Sequence, residues 1–433
     1  MAGGLAMLGL VLTAGGARGA YQAGVLKRIG EIPAFRDGPS PFAIVTGASA
    51  GAINGAAVAA GSAGFHQVTG QLAALWSQLR VEQVFRTDAI SLGWGALGLL
   101  RDMALGGVLG RTITQALFDT SPLRGLLAER LPLDGISTSI RQGDLFAVAV
   151  SATSYHSGRS FTFVQGRPGH PVWQKSRRVV LPVELGLDHV MASAAIPLVF
   201  PPVRVRSSAG DLYFGDGALR LATPFSPAIR LGADRILAVG VRSQRAAEAL
   251  SREELATAEE TGAAEAVLLS PPLAQVCGVF LNAIFLDHLD SDLDHLRRMN
   301  ELILAYGGEL DGRRPTRAAA APVSEPMRLV TPLVVSPSED LAMVAQRFSH
   351  RMPRLVRYLM DGLGTPDAQS ADLMSYLLFD AAYTRALVDI GHRDASERIH
   401  EIEAFLHAGR PARTRAKGKS TPDRVAGAEQ AAG

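Results

Sequence analysis

Apolar residues in the first half of the chain fall in short continuous runs. Each run is closed by glycine and followed by a longer stretch with helical spacing. Residues 7–13 read as a buried strand and 17–29 as a helix with Gly30 near its end. Residues 42–46 read as a second strand and 50–60 as the helix leaving it. Further strands are expected at 145–151, 160–164, 203–206, 212–214, 235–241 and 329–335, with a helix over 182–195. This alternation predicts an α/β fold, a three-layer α/β/α arrangement around a mostly parallel sheet. The expected division is 8–230 for that domain, 231–407 for a mainly helical C-terminal region, and 408–433 for a disordered tail. The tail is polar, basic and without a periodic apolar face.

Composition narrows the class. An apolar fraction of 47% with 19% charged residues describes a globular chain. The net charge of +2, with lysine only at 27, 175, 417 and 419, gives no reason to expect a nucleic-acid partner. Cys277 stands alone, so neither an intrachain disulfide nor a cysteine metal cluster is expected. A reducing, cytoplasmic setting fits that usage. Residues 5–12 are apolar, but no Lys or Arg precedes Arg18, which favours a first strand over a secretory signal. Two uncharged stretches, 39–78 and 266–286, are too rich in small or polar residues to span a bilayer and are expected in the core. Residues 91–110 interleave Leu92, Trp94, Leu97 and Met103 with glycines. Two readings fit them: a loosely packed surface helix pair, or a lid that touches lipid.

The chemistry sits at the glycine-rich turns. Ser49 lies in Gly47-Ala48-Ser49-Ala50-Gly51 directly after an apolar run, a pattern that can hold a serine on a sharp turn with its hydroxyl presented. One strand–helix unit earlier, Gly15-Gly16-Ala17-Arg18-Gly19 opens a helix and offers free N–H groups to an anion. A nucleophile and an oxyanion hole built from Gly15, Gly16, Ala17 and Arg18 are the expectation. A serine hydroxyl needs a base. Asp216, in Gly215-Asp216-Gly217-Ala218 at a strand end, is favoured because parallel sheets deliver functional groups at the carboxyl ends of their strands.

With these motifs in this order, the chain resembles the patatin-like phospholipase family. The matching pieces are the turn at 14–19, the elbow around Ser49, and Asp216-Gly217-Ala218. Tyr21-Gln22-Ala23-Gly24-Val25-Leu26, Ala192-Ser193-Ala194-Ala195-Ile196-Pro197 and Phe200-Pro201-Pro202 match as well. The resemblance covers about half the chain, residues 8 to 230. It implies a serine acyl hydrolase acting through a Ser49–Asp216 dyad without histidine, on phospholipid or lysophospholipid esters, with no metal or cofactor. Gly19, Gly47, Gly51 and Gly217 are then motif glycines. Transient contact with a membrane surface would follow. Ala14 departs from the family, which usually has glycine there; a shifted turn is expected if that position needs positive φ. Arg18 is suited either to a substrate phosphate or to anchoring the turn on a carboxylate.

Four rival readings are open to the same residues. A dinucleotide-binding oxidoreductase shares the first glycine turn but lacks an acidic residue after the second strand and any Tyr-x-x-x-Lys. A Ser-His-Asp hydrolase would need His156 or His189 as its base. Asp290, Asp292, Asp294 and Glu301 match four positions of a calcium loop, but His295 replaces its glycine and Leu289, Leu293 and Leu296 form a helical stripe. The last reading, an idle interaction protein, would not need both Ser49 and Asp216.

Overall fold

The computed structural model describes residues 7–86, 116–175, 177–207, 210–243, 288–312, 328–352 and 370–408. The segments 91–110 and 266–286, Cys277 and nearly all of the expected tail lie outside these residues. The strands are β1 Leu8–Leu12, β2 Ile44–Ala48, β3 Ala147–Ser154, β4 Ser160–Gly166, β5 Gln174–Lys175, β6 Arg178–Pro182, β7 Val203–Ser207, β8 Gly210–Gly215, β9 Arg235–Val239 and β10 Thr331–Val335. They form one sheet in the order β10-β9-β1-β2-β3-β4-β6-β5, with β8 pairing β3 and β7 pairing β8. From β10 to β3 all neighbours are parallel. The pairings of β3 with β4 and of β3 with β8 are antiparallel.

The parallel strands are apolar on both faces, as expected where helices cover both sides. Leu10, Leu12, Val45, Val148, Val150, Leu237 and Val239 point to one core. Val11, Ile44, Ala147, Ala149, Ile236 and Ala238 point to the other. The helices used below are α1 Gly19–Gly30, α2 Ala50–Ala60, α3 Phe65–Ser77, α4 Leu187–Ser193, α5 Ser226–Leu231, α6 His288–Gly312, α7 Ser370–Leu377 and α8 Ala381–Glu397. Buried side chains of α1, α2, α3, α4 and α8 fill the first core. Those of α5 and α6 fill the second, through Ala228, Leu231, Leu289, Leu293 and Leu296. This is the expected three-layer architecture. Residues past 230 add β9 and β10 to the same sheet, and α8 to the same core.

Two local differences have physical causes. The helix expected over 182–195 begins only at Leu187, because residues 178–182 pair in parallel with β4 as β6. Val179 and Val180 carried that β-branched signal. The acidic run at 290–294 is continuous helix, so its carboxylates cannot wrap a cation as a loop does. Asp292 instead points inward and accepts the Phe225 N–H at 2.8 Å. Among the described residues no cluster of His, Cys, Asp and Glu is arranged to hold a metal.

Helices α1 and α8 cross with their backbones in contact. A Cβ on Gly24 would overlap the Val388 carbonyl, and one on Gly391 the Tyr21 carbonyl. Arg28 bonds Ser396 at 3.0 Å and His392 meets Glu31 at 2.8 Å along the same crossing. Gly24→Val should therefore force the helices apart and cost about 3 kcal/mol. A lowered midpoint in urea unfolding, with ordinary expression at low temperature, is the expected result.

Candidate active site

The two glycine turns are placed side by side by the pairing of β1 with β2. At the end of β2, Ser49 adopts φ 55, ψ −126, a left-handed conformation that only it and Leu198 show among described non-glycine residues. Such strain persists only where the surroundings enforce it. They do so here by close approach: a Cβ at Gly47 would overlap the Gly51 carbonyl, and one at Gly51 the carbonyls of Leu12 and Thr13. The Ser49 N–H donates to Ser193 Oγ at 3.0 Å, and the Ser193 hydroxyl donates to the Ser151 carbonyl at 2.6 Å. Ser193 thereby ties the elbow to β3.

A buried polar network fixes the helices behind the turns. Gln22 donates to the Thr13 carbonyl at 2.8 Å. Asn54 donates to the Gly19 carbonyl and to Gln22, both at 3.0 Å, and accepts from the Trp76 indole at 2.8 Å. Fully satisfied networks of this kind rigidify the groups they join.

Asp216 arrives from the antiparallel side. Thr153 of β3 pairs with Gly215 of β8, and Gly217 packs against the Ser151 carbonyl and, at 3.3 Å from its would-be Cβ, the Ala48 side chain. The carboxyl group is fully buried. Oδ1 accepts the Ala218 N–H at 2.9 Å, and Oδ2 has no hydrogen-bond partner. Burial pushes the Asp216 pKa up to about 7, against the opposing pull of the Ser49 hydroxyl and the Ala218 N–H. The serine is thus near enough to favour the charged carboxylate.

The first turn runs through a short 3-10 segment, Gly16–Arg18. Its positive φ, 54°, falls on Gly16, where the Tyr376 carbonyl also leaves no space for a Cβ. Ala14 does not have positive φ, so the departure noted there meets no strained position. No hydrogen bond among the described residues has the N–H of Gly15, Gly16 or Ala17 as its donor. Arg18 differs. Its N–H is taken by the Gly15 carbonyl at 3.0 Å. Its guanidinium is buried on Asp372 at 2.7 Å and Ser375 at 2.8 Å. Arg18 therefore anchors the turn on a carboxylate.

Ser49 and Gly16 open into an apolar cleft of about 540 Å³, open solvent included, lined also by Ile53, Leu75, Trp76, Leu79, Leu123, Leu127, Ile196, Phe200 and Phe379. No histidine hydrogen-bonds Ser49 or Asp216 among the described residues. His189 instead accepts the Gly186 N–H at 2.9 Å and meets the Phe163 ring at 4.7 Å. Ser193, Asp372 and Ser375 were not singled out from sequence. Ser193 lies within the motif at 192–197, but nothing local marks the other two.

A family model described as patatin-like phospholipase matches residues 10–229, slightly more than half of the chain. The chain belongs to the patatin-like phospholipase family. Membership implies a hydrolase of ester bonds in lipids. No curated protein sequence matches the chain. Among solved structures, VipD from Legionella pneumophila aligns at 12% identity and a TM-score of 0.29, covering 89% of this chain and 67% of that one. The type III effector protein ExoU aligns at 15% identity and 0.24, covering 85% and 76%. For this patatin-like chain no helix among the described residues is long and apolar enough to cross a membrane.

Proposed function

We propose that this patatin-like protein is a phospholipase or lysophospholipase that cleaves carboxylic esters through Ser49 and Asp216. The observation that carries the reading is a strained serine next to a buried carboxyl with an unpartnered oxygen, with Ser49 and Gly16 of the glycine turn lining one apolar cleft. Asp216 Oδ2 takes the Ser49 proton as Oγ attacks the ester carbonyl carbon. The N–H groups of Gly15, Gly16 and Ala17 receive the developing oxyanion, an interaction worth about 3 kcal/mol per donor elsewhere. Collapse expels the alcohol, which carries the proton from Asp216, and leaves an acyl-Ser49 ester. Water then gives a proton to Asp216 and attacks that ester; collapse frees the fatty acid and returns the proton to Ser49.

The apolar lining suits an acyl chain rather than a polar group. Leu198, 70% exposed between the cleft residues Ile196 and Phe200, supports transient contact with a lipid surface. The test is incubation of the purified chain with phospholipid, lysophospholipid and short-chain esters, following fatty acid release without added metal. Release from at least one lipid ester is expected. A chain inert toward all of them, in micelles and in vesicles, would overturn the reading.

A further inference from the structure

Helix α7 lies well beyond residues 10–229, which the family model matches, yet it touches the first glycine turn at Gly16 and at Arg18. Arg18 spans the contact. Only 2% exposed, it donates through Nε to Ser375 Oγ at 2.8 Å and through Nη2 to Asp372 Oδ1 at 2.7 Å. Its guanidinium lies 4.5 Å from the centre of the Tyr376 ring. The Ser375 hydroxyl donates onward to the Asp372 carbonyl, which fixes its acceptor lone pairs toward Arg18. The Tyr376 carbonyl presses on Gly16 from the same side. Three residues on, Phe379 forms part of the cleft wall that Ser49 also lines. The far side of α7 is pinned too, by the Tyr383 hydroxyl on the carbonyls of Leu341 and Ser375.

A fork of this kind acts on geometry. Arg18 follows directly on the peptide units whose N–H groups are unclaimed, and its own N–H closes the turn on Gly15. Fixing the guanidinium in two places fixes the direction of those peptides. A backbone turn of glycines has no side chains with which to do this for itself. We propose that Asp372 and Ser375 are positioning residues that act through Arg18 to hold the N–H groups of Gly15, Gly16 and Ala17 in line for an oxyanion. The C-terminal region thereby completes the active site. This rests on the reading of that turn as the oxyanion site.

Asp372→Asn keeps the shape and removes the charge. Steady-state kinetics on a soluble short-chain ester should show kcat reduced about tenfold to hundredfold, the scale of a small misplacement of catalytic groups, with KM within about twofold. Ser375→Ala should move kcat the same way by a smaller factor. Glu339→Gln, which breaks a surface pair with Arg393, is the control and should change neither constant. Hydrogen exchange on the intact chain provides the second readout. In Asp372→Asn the amides of 14–19 should exchange faster while β3 and β9 keep their protection. If Asp372→Asn loosens the whole sheet, Ser375→Ala decides by the same two readouts. Wild-type kcat in the variants, or unchanged exchange at 14–19, overturns the proposal. A wild-type chain inert toward every ester would instead overturn the hydrolase reading, and exchange alone would then decide whether α7 holds the turn.

Discussion

Replacing Ser49 by alanine should reduce ester hydrolysis by about 10,000-fold to a million-fold, the range seen when a serine nucleophile is removed from a comparable site. The fold should survive. Ser49 Oγ makes no hydrogen bond that the elbow depends on; the N–H bond to Ser193 and the close packing of Gly47 and Gly51 belong to the backbone and remain in the alanine variant. Affinity for substrate should also survive, because the cleft is built from apolar side chains that the substitution leaves alone. The expected pattern is a collapsed kcat, an unchanged melting temperature, and loss of covalent labelling by a fluorophosphonate that marks the wild type at residue 49. A Ser49→Ala protein that still releases fatty acid at the wild-type rate would place the nucleophile elsewhere.

Much of this arrangement was legible in the sequence because its determinants are local. The elbow needs small residues on both sides of the serine, and Gly47 and Gly51 sit where the chain doubles back on itself and on β1. The Asp216 turn needs glycine beside β3, and Gly217 supplies it against the Ser151 carbonyl. The concern over Ala14 arose because sequence shows which residue departs from a pattern but not which peptide carries the positive φ. That peptide proves to be at Gly16. What could not be read is long-range. Arg18 and Asp372 are separated by 354 positions, and no spacing rule connects them. The crossing of α1 with α8 depends on glycines from two helices whose patterns, taken singly, read only as tolerated breaks. The start of α4 is not legible for a related reason: the strand partner that claims residues 178–182 is β4, and sequence alone does not announce a parallel neighbour.

Activity should rise with pH through about 7 and then level off, because a carboxyl held near that value by burial is a base only once it has lost its proton. Below that point kcat/KM should fall about tenfold per pH unit. The same displacement has a consequence for stability. Between the ordinary value of 3.8 and about 7, the native chain keeps a proton on Asp216 that the unfolded chain has released. Stability contributed by this group is therefore full below 3.8, declines as pH rises across the window, and is level above it. By pH 8 that decline amounts to about 4 kcal/mol. Asp292, raised to about 6 by burial, acts in the same sense, so the comparison must be made against a variant of Asp216 alone. Asp216→Asn is that variant. Its carbonyl oxygen can accept the Ala218 N–H, and its amide replaces the unpartnered Oδ2 with a donor. At pH 8 it should melt several degrees above the wild type, and at pH 4 at the same temperature, while hydrolysis is lost at both. Equal melting points at pH 8, or a wild-type activity profile that inflects near pH 4, would show that the carboxyl is solvated and is not poised as the base for Ser49.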